Sequence, residues 1–232
     1  MTEAREILDR ALKNHQKALS EYDSKRLLSA YGIPVARNFM AGDWKEIQRA
    51  ADSLGYPVVL KACSSEVAHK TEKNLLEVDI RNEKELQEAF QRLEAGAKAL
   101  DASFLVEEMI QGTRQLVIGM IRDAQFGPCV MFGLGGIFTE VLNDVVFRVA
   151  PLEKADALDM VGEIKASKIL GPIRGMKAVN LEALSRSIIA LGKIGLENEA
   201  VEQIDCNPLI IKDGQPIAAD ALVVLRGPVS LD

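Results

Sequence analysis

The sequence lacks a cysteine framework, a surplus of basic residues and any apolar run of membrane length. Its three cysteines, Cys63, Cys129 and Cys206, lie far apart, form no CxxC and are odd in number. That pattern belongs to reduced thiols in a cytoplasm, not to a disulfide scaffold. The formal charge is −6, which argues against bulk nucleic-acid binding; an anionic ligand would need a local positive site. No segment approaches a transmembrane helix in length, and the charged N-terminus MTEAREILDR is unlike a signal peptide. There is no GxxxxGKS/T phosphate loop, no internal repeat and no low-complexity stretch. What is left is a soluble, cytoplasmic α/β protein. Its 232 residues, 48% hydrophobic and 27% charged, suit one domain or two modest subdomains sharing a cleft.

Helical periodicity is clearest at the start. Ile7, Leu8, Ala11, Leu12, Ala18 and Leu19 fall on one stripe, predicting an amphipathic helix over residues 2–19. Ser20 can cap a second helix that Gly32 stops. Asp43 with Glu46 has the spacing of a capping box, opening a helix that ends at Gly55. The β-branched run Val58-Val59-Leu60-Lys61-Ala62 reads as a strand, residues 75–80 as another, and Asn82 with Glu85 as the next helix cap. From Phe104 onward, strands over 104–109, 115–121 and 129–132 suggest an antiparallel sheet. Helices follow near 153–166 and 181–196, then a hairpin at Asp213-Gly214. The expected organisation is an N-terminal helix over 1–19 and subdomains over 20–103 and 104–232, with the cleft between the subdomains as the default ligand site.

Four features carry chemistry, and each has a plainer reading. Gly133-Leu134-Gly135-Gly136 follows a strand, where side-chain-free backbone can approach a phosphate and form an anion-binding nest; alone, a tight turn explains it better. Asp205 and Asn207 are two apart on a strand and share a face, and the hairpin can return Asp220 beside them. Three such oxygens suit Mg2+, which reaches proteins through few carboxylates plus substrate phosphates; a solvated polar turn is an equal alternative. Lys61 ends an apolar strand and, if buried, needs a partner such as a phosphate; a lysine whose head reaches water at the strand's rim is the simpler account. His69 sits in the polar loop Ser64-Ser65-Glu66-Val67-Ala68-His69-Lys70-Thr71, where imidazole can accept a phosphoryl group or shuttle a proton; an exposed loop histidine is the default. His15, in the charged first helix, reads as a surface residue.

The order of these motifs is more specific than any one of them. VVLKA, EVAHKTE, FGPCVMFGLGGIFTEVLNDVVFRVAPL, IDCNPL and IAADA together resemble the ATP-grasp β subunit of ADP-forming acetyl-CoA synthetases, over residues 20–225. The resemblance implies an ATP-grasp fold, two α/β subdomains clamping ATP or ADP. By that resemblance, Lys61 contacts nucleotide phosphates and Val106, Glu107, Glu108 and Met109 form the segment whose backbone reads adenine, with one glutamate near the ribose. Gly133, Gly135 and Gly136 lie at the phosphates, and Arg148 faces phosphate. Asp205, Asn207 and Asp220 hold Mg2+, with Asp205 standing where relatives often have glutamate. Glu140 matches a family acid of unassigned role.

The implied reaction interconverts acyl-CoA, ADP and phosphate with free acid, ATP and CoA. A partner histidine is phosphorylated near CoA, and His69 relays the phosphoryl group to ADP. No segment of this sequence resembles the family's CoA-binding portion, so a separate CoA-binding α subunit, in an α2β2 assembly, is expected. Two departures stand out: the family's HKSD.GGV becomes HKTEKNL here, losing both glycines, and Gln115 replaces a glutamate. The alternatives are a succinyl-CoA synthetase-like ligase subunit and a nucleotide-binding regulatory module without catalysis.

Overall fold

Local side-chain chemistry sets where the helices begin and end. A computed structural model describes residues 3–64, 75–136 and 144–226. Helix α1 (Glu3–Lys13) buries Ala4, Ile7, Leu8 and Ala11, but it stops six residues before the predicted end. His15 adopts φ +53°, outside the helical range. The chain then runs extended, with Leu19 N–H donating to Val223 O at 2.9 Å and Lys17 O accepting from Leu225 N–H at 2.8 Å. Leu19 is buried by strand pairing rather than by the helical stripe. Helix α2 (Glu21–Ala30) opens with Ser20 Oγ accepting from Asp23 N–H at 3.2 Å and closes at Gly32, φ +81°. In α3 (Trp44–Leu54), Asp43 accepts from Glu46 N–H at 2.9 Å while Glu46 accepts from Gly42 N–H at 2.7 Å. Asn82 caps α4 (Glu83–Ala99) in the same way. Such caps each stabilise a helix by about 1 kcal/mol.

The chain divides into two units. One comprises Ser20–Asp23 and Ala36–Ile110. Its sheet, ordered β1 (Asn38–Ala41), β4 (Ser103–Glu108), β2 (Val58–Cys63), β3 (Leu76–Ile80), is antiparallel throughout. Alternate residues Val58, Leu60, Ala62, Phe104 and Val106 join Ile47, Ala51, Leu54, Leu86 and Leu93 of α3 and α4 in one core. Sequence grouped the Phe104 strand with those that follow it. It is instead an inner strand here, because Phe104 and Val106 complete the apolar face that α3 and α4 need.

The other unit comprises Met1–Leu19, Ser24–Val35 and Gln111–Asp232. Its sheet runs β10 (Leu222–Leu225), β8 (Val201–Lys212), β5 (Gln115–Asp123), β6 (Gly127–Leu134), β7 (Val145–Val149), with β9 (Gln215–Ala218) paired to β8. All these pairings are antiparallel as well. Helices α5 (Lys154–Glu163) and α6 (Leu181–Glu197) pack with Ile118, Met120, Val130, Phe132, Ile204 and Cys206 in its core. Close packing depends on glycine: a Cβ on Gly195 would sit 2.8 Å from Pro128 and 3.1 Å from Met120. The architecture is α+β, with antiparallel sheets. No helix among the described residues is long and apolar enough to cross a membrane.

Candidate functional site

Strand β8 alternates core residues with partly buried ones over Ile204–Asn207. Ile204 and Cys206 are fully buried in the helix-packed core, so Asp205 and Asn207 project from the other face. Asp205 pairs with Gly119 of β5 and Leu222 of β10. The β8–β9 turn is made by Asp213 and Gly214, at φ +51° and +87°, the left-handed pair that a tight hairpin requires. The returning chain is fastened by Ala219 N–H donating to Pro208 O at 3.1 Å, which brings Asp220 to Asp205. Burial, then the charge of Asp220, pushes the Asp205 carboxyl up to about 6. The Cys206 thiol is pushed up by burial, Asp205 and Asp220, against the opposing charge of Lys25, so it is an inert core residue. Among the described residues no three His, Cys, Asp or Glu side chains gather as a metal site. Two crowded carboxylates plus the Asn207 amide oxygen nevertheless form a hard donor set that fits Mg2+.

The glycine turn is joined to this set. Gly136, at φ +66°, donates its N–H to Asn207 Oδ1 at 3.1 Å. A Cβ there would strike the Gln115 side chain, and one on Gly135 would strike the Leu116 backbone. Leu134 and Gly135 donate their N–H groups to Asp144 O and Gln115 O at 3.2 and 2.9 Å. The described part of the turn is therefore a packed tight turn, the plainer of the two sequence readings, and not an open nest. Its N–H groups are spent on packing the turn and holding Asn207, and an anion could take the Gly136 N–H only by exchange with that amide. Arg148 lies on the helix-packed face, where it pairs with Val130 of β6 and forms an ion pair with Glu163. The structure does not bring it together with Asp205.

In the four-stranded sheet, every residue of β2 is buried, Lys61 included. Its head does not reach water: Nζ donates to Glu21 Oε1 at 2.6 Å and to Glu107 Oε1 at 3.1 Å. Glu107 sits on β4, two residues beyond Leu105, the register partner of Lys61. Glu108 points elsewhere, accepting from Arg37 N–H at 2.9 Å and pairing with the Arg37 guanidinium at 3.2 Å. Val106 is a core residue. The Glu108 and Met109 N–H groups are taken by Arg37 O and Pro57 O, at 2.9 and 3.2 Å. His69 and Glu140 lie outside the described residues.

Among the buried charges that escaped the sequence reading are Glu21 and Lys25. Lys25 is 0% exposed and donates from Nζ to Ala219 O at 2.8 Å, one residue before Asp220. The available signal was their four-residue spacing on the α2 stripe that also buries Ser24 and Leu28.

The ATP-grasp domain model matches residues 10–225. The chain belongs to the ATP-grasp family. Over 230 residues this ATP-grasp chain is 42% identical to the ADP-forming acetate–CoA ligase I subunit beta of Pyrococcus furiosus, covering 97% of this chain and 99% of that one. It is 35% identical to the ADP-forming acetate–CoA ligase I of Archaeoglobus fulgidus, but spans only 33% of that longer chain. Among solved structures it resembles the dinucleotide-forming acetyl-coenzyme A synthetase 1 of Ca. Korarchaeum cryptofilum, in complex with coenzyme A, Ca-AMPCP and HgCl+. The TM-score is 0.91 at 40% identity, over 96% of this chain and all of that one. Another structure of the same synthetase holds coenzyme A and Mg-AMPPCP, with its phosphohistidine segment pointing towards the nucleotide-binding site; the TM-score is 0.85.

Proposed function

We propose that the chain is the nucleotide-binding β subunit of an ADP-forming acyl-CoA synthetase, working in the cytoplasm with a separate CoA-binding α subunit in an α2β2 complex. It interconverts acyl-CoA, ADP and phosphate with carboxylic acid, ATP and CoA. The reading rests above all on full-length similarity to a β subunit of such a ligase. It is supported by the Asp205–Asn207–Asp220 donor set tied to the glycine turn.

In this reading Lys61 offers its ammonium to the nucleotide phosphates, while Asp205, Asp220 and Asn207 hold Mg2+. Bound there, Mg2+ would offset the charge of the phosphoryl group in transfer. Gly133, Gly135 and Gly136 line the turn against that group, and the Val106–Met109 segment meets the adenine and ribose. His69 accepts a phosphoryl group from a partner phosphohistidine: a new N–P bond forms on its imidazole as the donor's N–P bond breaks. A terminal phosphate oxygen of ADP then takes the group, and the imidazole leaves neutral.

The test is to assemble the chain with its α subunit and measure ATP formed from acyl-CoA, ADP and phosphate. His69→Ala should abolish ATP formation, a loss of at least about a thousandfold, and leave ADP binding unchanged. ATP synthesis by that variant at the wild-type rate would overturn the relay. Running acetate, aromatic acids and succinate in parallel separates an acetate-type from a succinate-type enzyme. Labelled phosphohistidine formed from labelled ATP excludes a catalytically silent regulatory module.

A further inference from the structure

We infer that Glu21 is a positioning residue for phosphate recognition: its buried carboxylate fixes the Lys61 ammonium at the point where a nucleotide phosphate meets it. The inference rests on the proposed contact between Lys61 and the phosphates. Glu21 is the first residue of α2, where a glutamate ordinarily lies in water and gains from the positive end of the helix. Here it turns inward. The Glu21 side chain is 1% exposed and that of Lys61 6%, so both charges have left solvent. Removing a carboxylate from water is costly unless a matched partner receives it, and Lys61 Nζ stands 2.6 Å from Glu21 Oε1.

The second carboxylate, Glu107, is 3.1 Å from the same Nζ and belongs to β4, an inner strand of the sheet that holds Lys61. Glu107 is thus held by the same ladder as Lys61. Glu21 comes from outside that ladder, on a helix, and makes the shorter contact. A lysine stem has four rotatable carbons and an ammonium with three donors. Bonds to carboxylates on two different elements select one rotamer of that stem. Without Glu21, Nζ would lose its 2.6 Å contact from the helix and would shift toward Glu107. The loss would fall on ligands that present phosphate to Lys61, and not on the nucleoside.

That selectivity is what the experiment reads. ADP and adenosine are titrated by calorimetry into the full chain carrying wild-type, Glu21→Gln, Glu21→Asp or Lys61→Met sequence, with Mg2+ present. For Glu21→Gln, ADP should bind about tenfold more weakly, the loss of one charge-assisted contact, with adenosine affinity unchanged. Glu21→Asp keeps the charge on a shorter stem and should fall between. Equal weakening of both ligands would mean that Glu21 only supports the fold, and would overturn the inference. Unchanged ADP binding in Glu21→Gln, with strong loss in Lys61→Met, would also overturn it while leaving the phosphate contact of Lys61 intact. Unchanged ADP binding in Lys61→Met would remove the contact on which the inference stands. If Glu21→Gln fails to give a cooperative melt, the ratio of ADP to adenosine affinity in Glu21→Asp decides by the same criteria.

Discussion

At the residue scale, Asp205 shows how a proposed ligand site comes at the expense of stability. Burial and the neighbouring Asp220 carboxylate raise it from the ordinary 3.8 to about 6. A carboxyl raised in the folded state binds its proton more tightly there than in the unfolded chain. Its contribution to stability is therefore greatest below about pH 4 and is lost as the pH rises through about 6. By neutral pH the ionised carboxylate costs the metal-free protein up to about 3 kcal/mol. Asp205→Asn should then stabilise the metal-free chain at pH 7.5 by about 1–3 kcal/mol and leave it little changed at pH 4. In the wild type, Mg2+ should recover part of that cost, and in the variant it should not. Urea denaturation at the two pH values, with and without Mg2+, checks this; parallel pH profiles for both proteins would refute it. The gathering of these acids was legible in sequence, because a period-2 strand and an Asp-Gly turn are local signals. The burial of Lys61 against Glu21 was not, since those partners stand 40 residues apart and α2 shows only a capped, half-polar pattern.

Elements were legible in proportion to how local their causes are. The caps at Asp43 and Asn82 and the stop at Gly55 occur as the residues dictate, because each depends on atoms within four positions. The first helix ended early because strand pairing of Lys17 and Leu19 with β10, a contact across two hundred residues, outweighs the helical stripe. The place of β4 was hidden for the same reason: its partners precede it by 40 residues or more. Helix α6 carries a further element-scale demand that composition alone does not reveal. Gly195 faces the Pro128 and Met120 side chains with no room for a Cβ, so α6 packs closely on the β5–β6 ladder there. Gly195→Val should destabilise the protein by about 2–3 kcal/mol through overpacking, despite removing a poor helix former. Gly162, whose Cβ would meet nothing within 4 Å, is the control: Gly162→Ala should be neutral or stabilising by up to about 1 kcal/mol. Denaturant midpoints for the two variants decide the matter, and equal effects would remove the packing argument.

For the whole molecule, the question is which part of the reaction belongs to this chain. It carries a net charge of −6, yet the proposed ligand is a polyanion. Binding must therefore come from focused charges rather than from the overall field; the proposed ones are Lys61 and a cation held by Asp205, Asn207 and Asp220. This chain spans 33% of the longer Archaeoglobus relative; on the proposed reading, nucleotide handling is one portion of a larger machine. The chain alone should then bind nucleotide without turning over acyl-CoA. At an ADP concentration one hundred times its Kd, ligation to the folded state adds about 2.7 kcal/mol of stability, and this gain should depend on Mg2+. A thermal melt with Mg2+ and ADP should rise by several degrees, about 2–4 °C per kcal/mol for a chain of this size, and chelation by EDTA should remove most of the rise. ATP synthesis should appear only when the α subunit is added, saturating at equimolar subunits. A stabilisation by ADP that survives EDTA in full would show that Lys61 and the backbone suffice, and would leave the acidic set without a role in binding nucleotide.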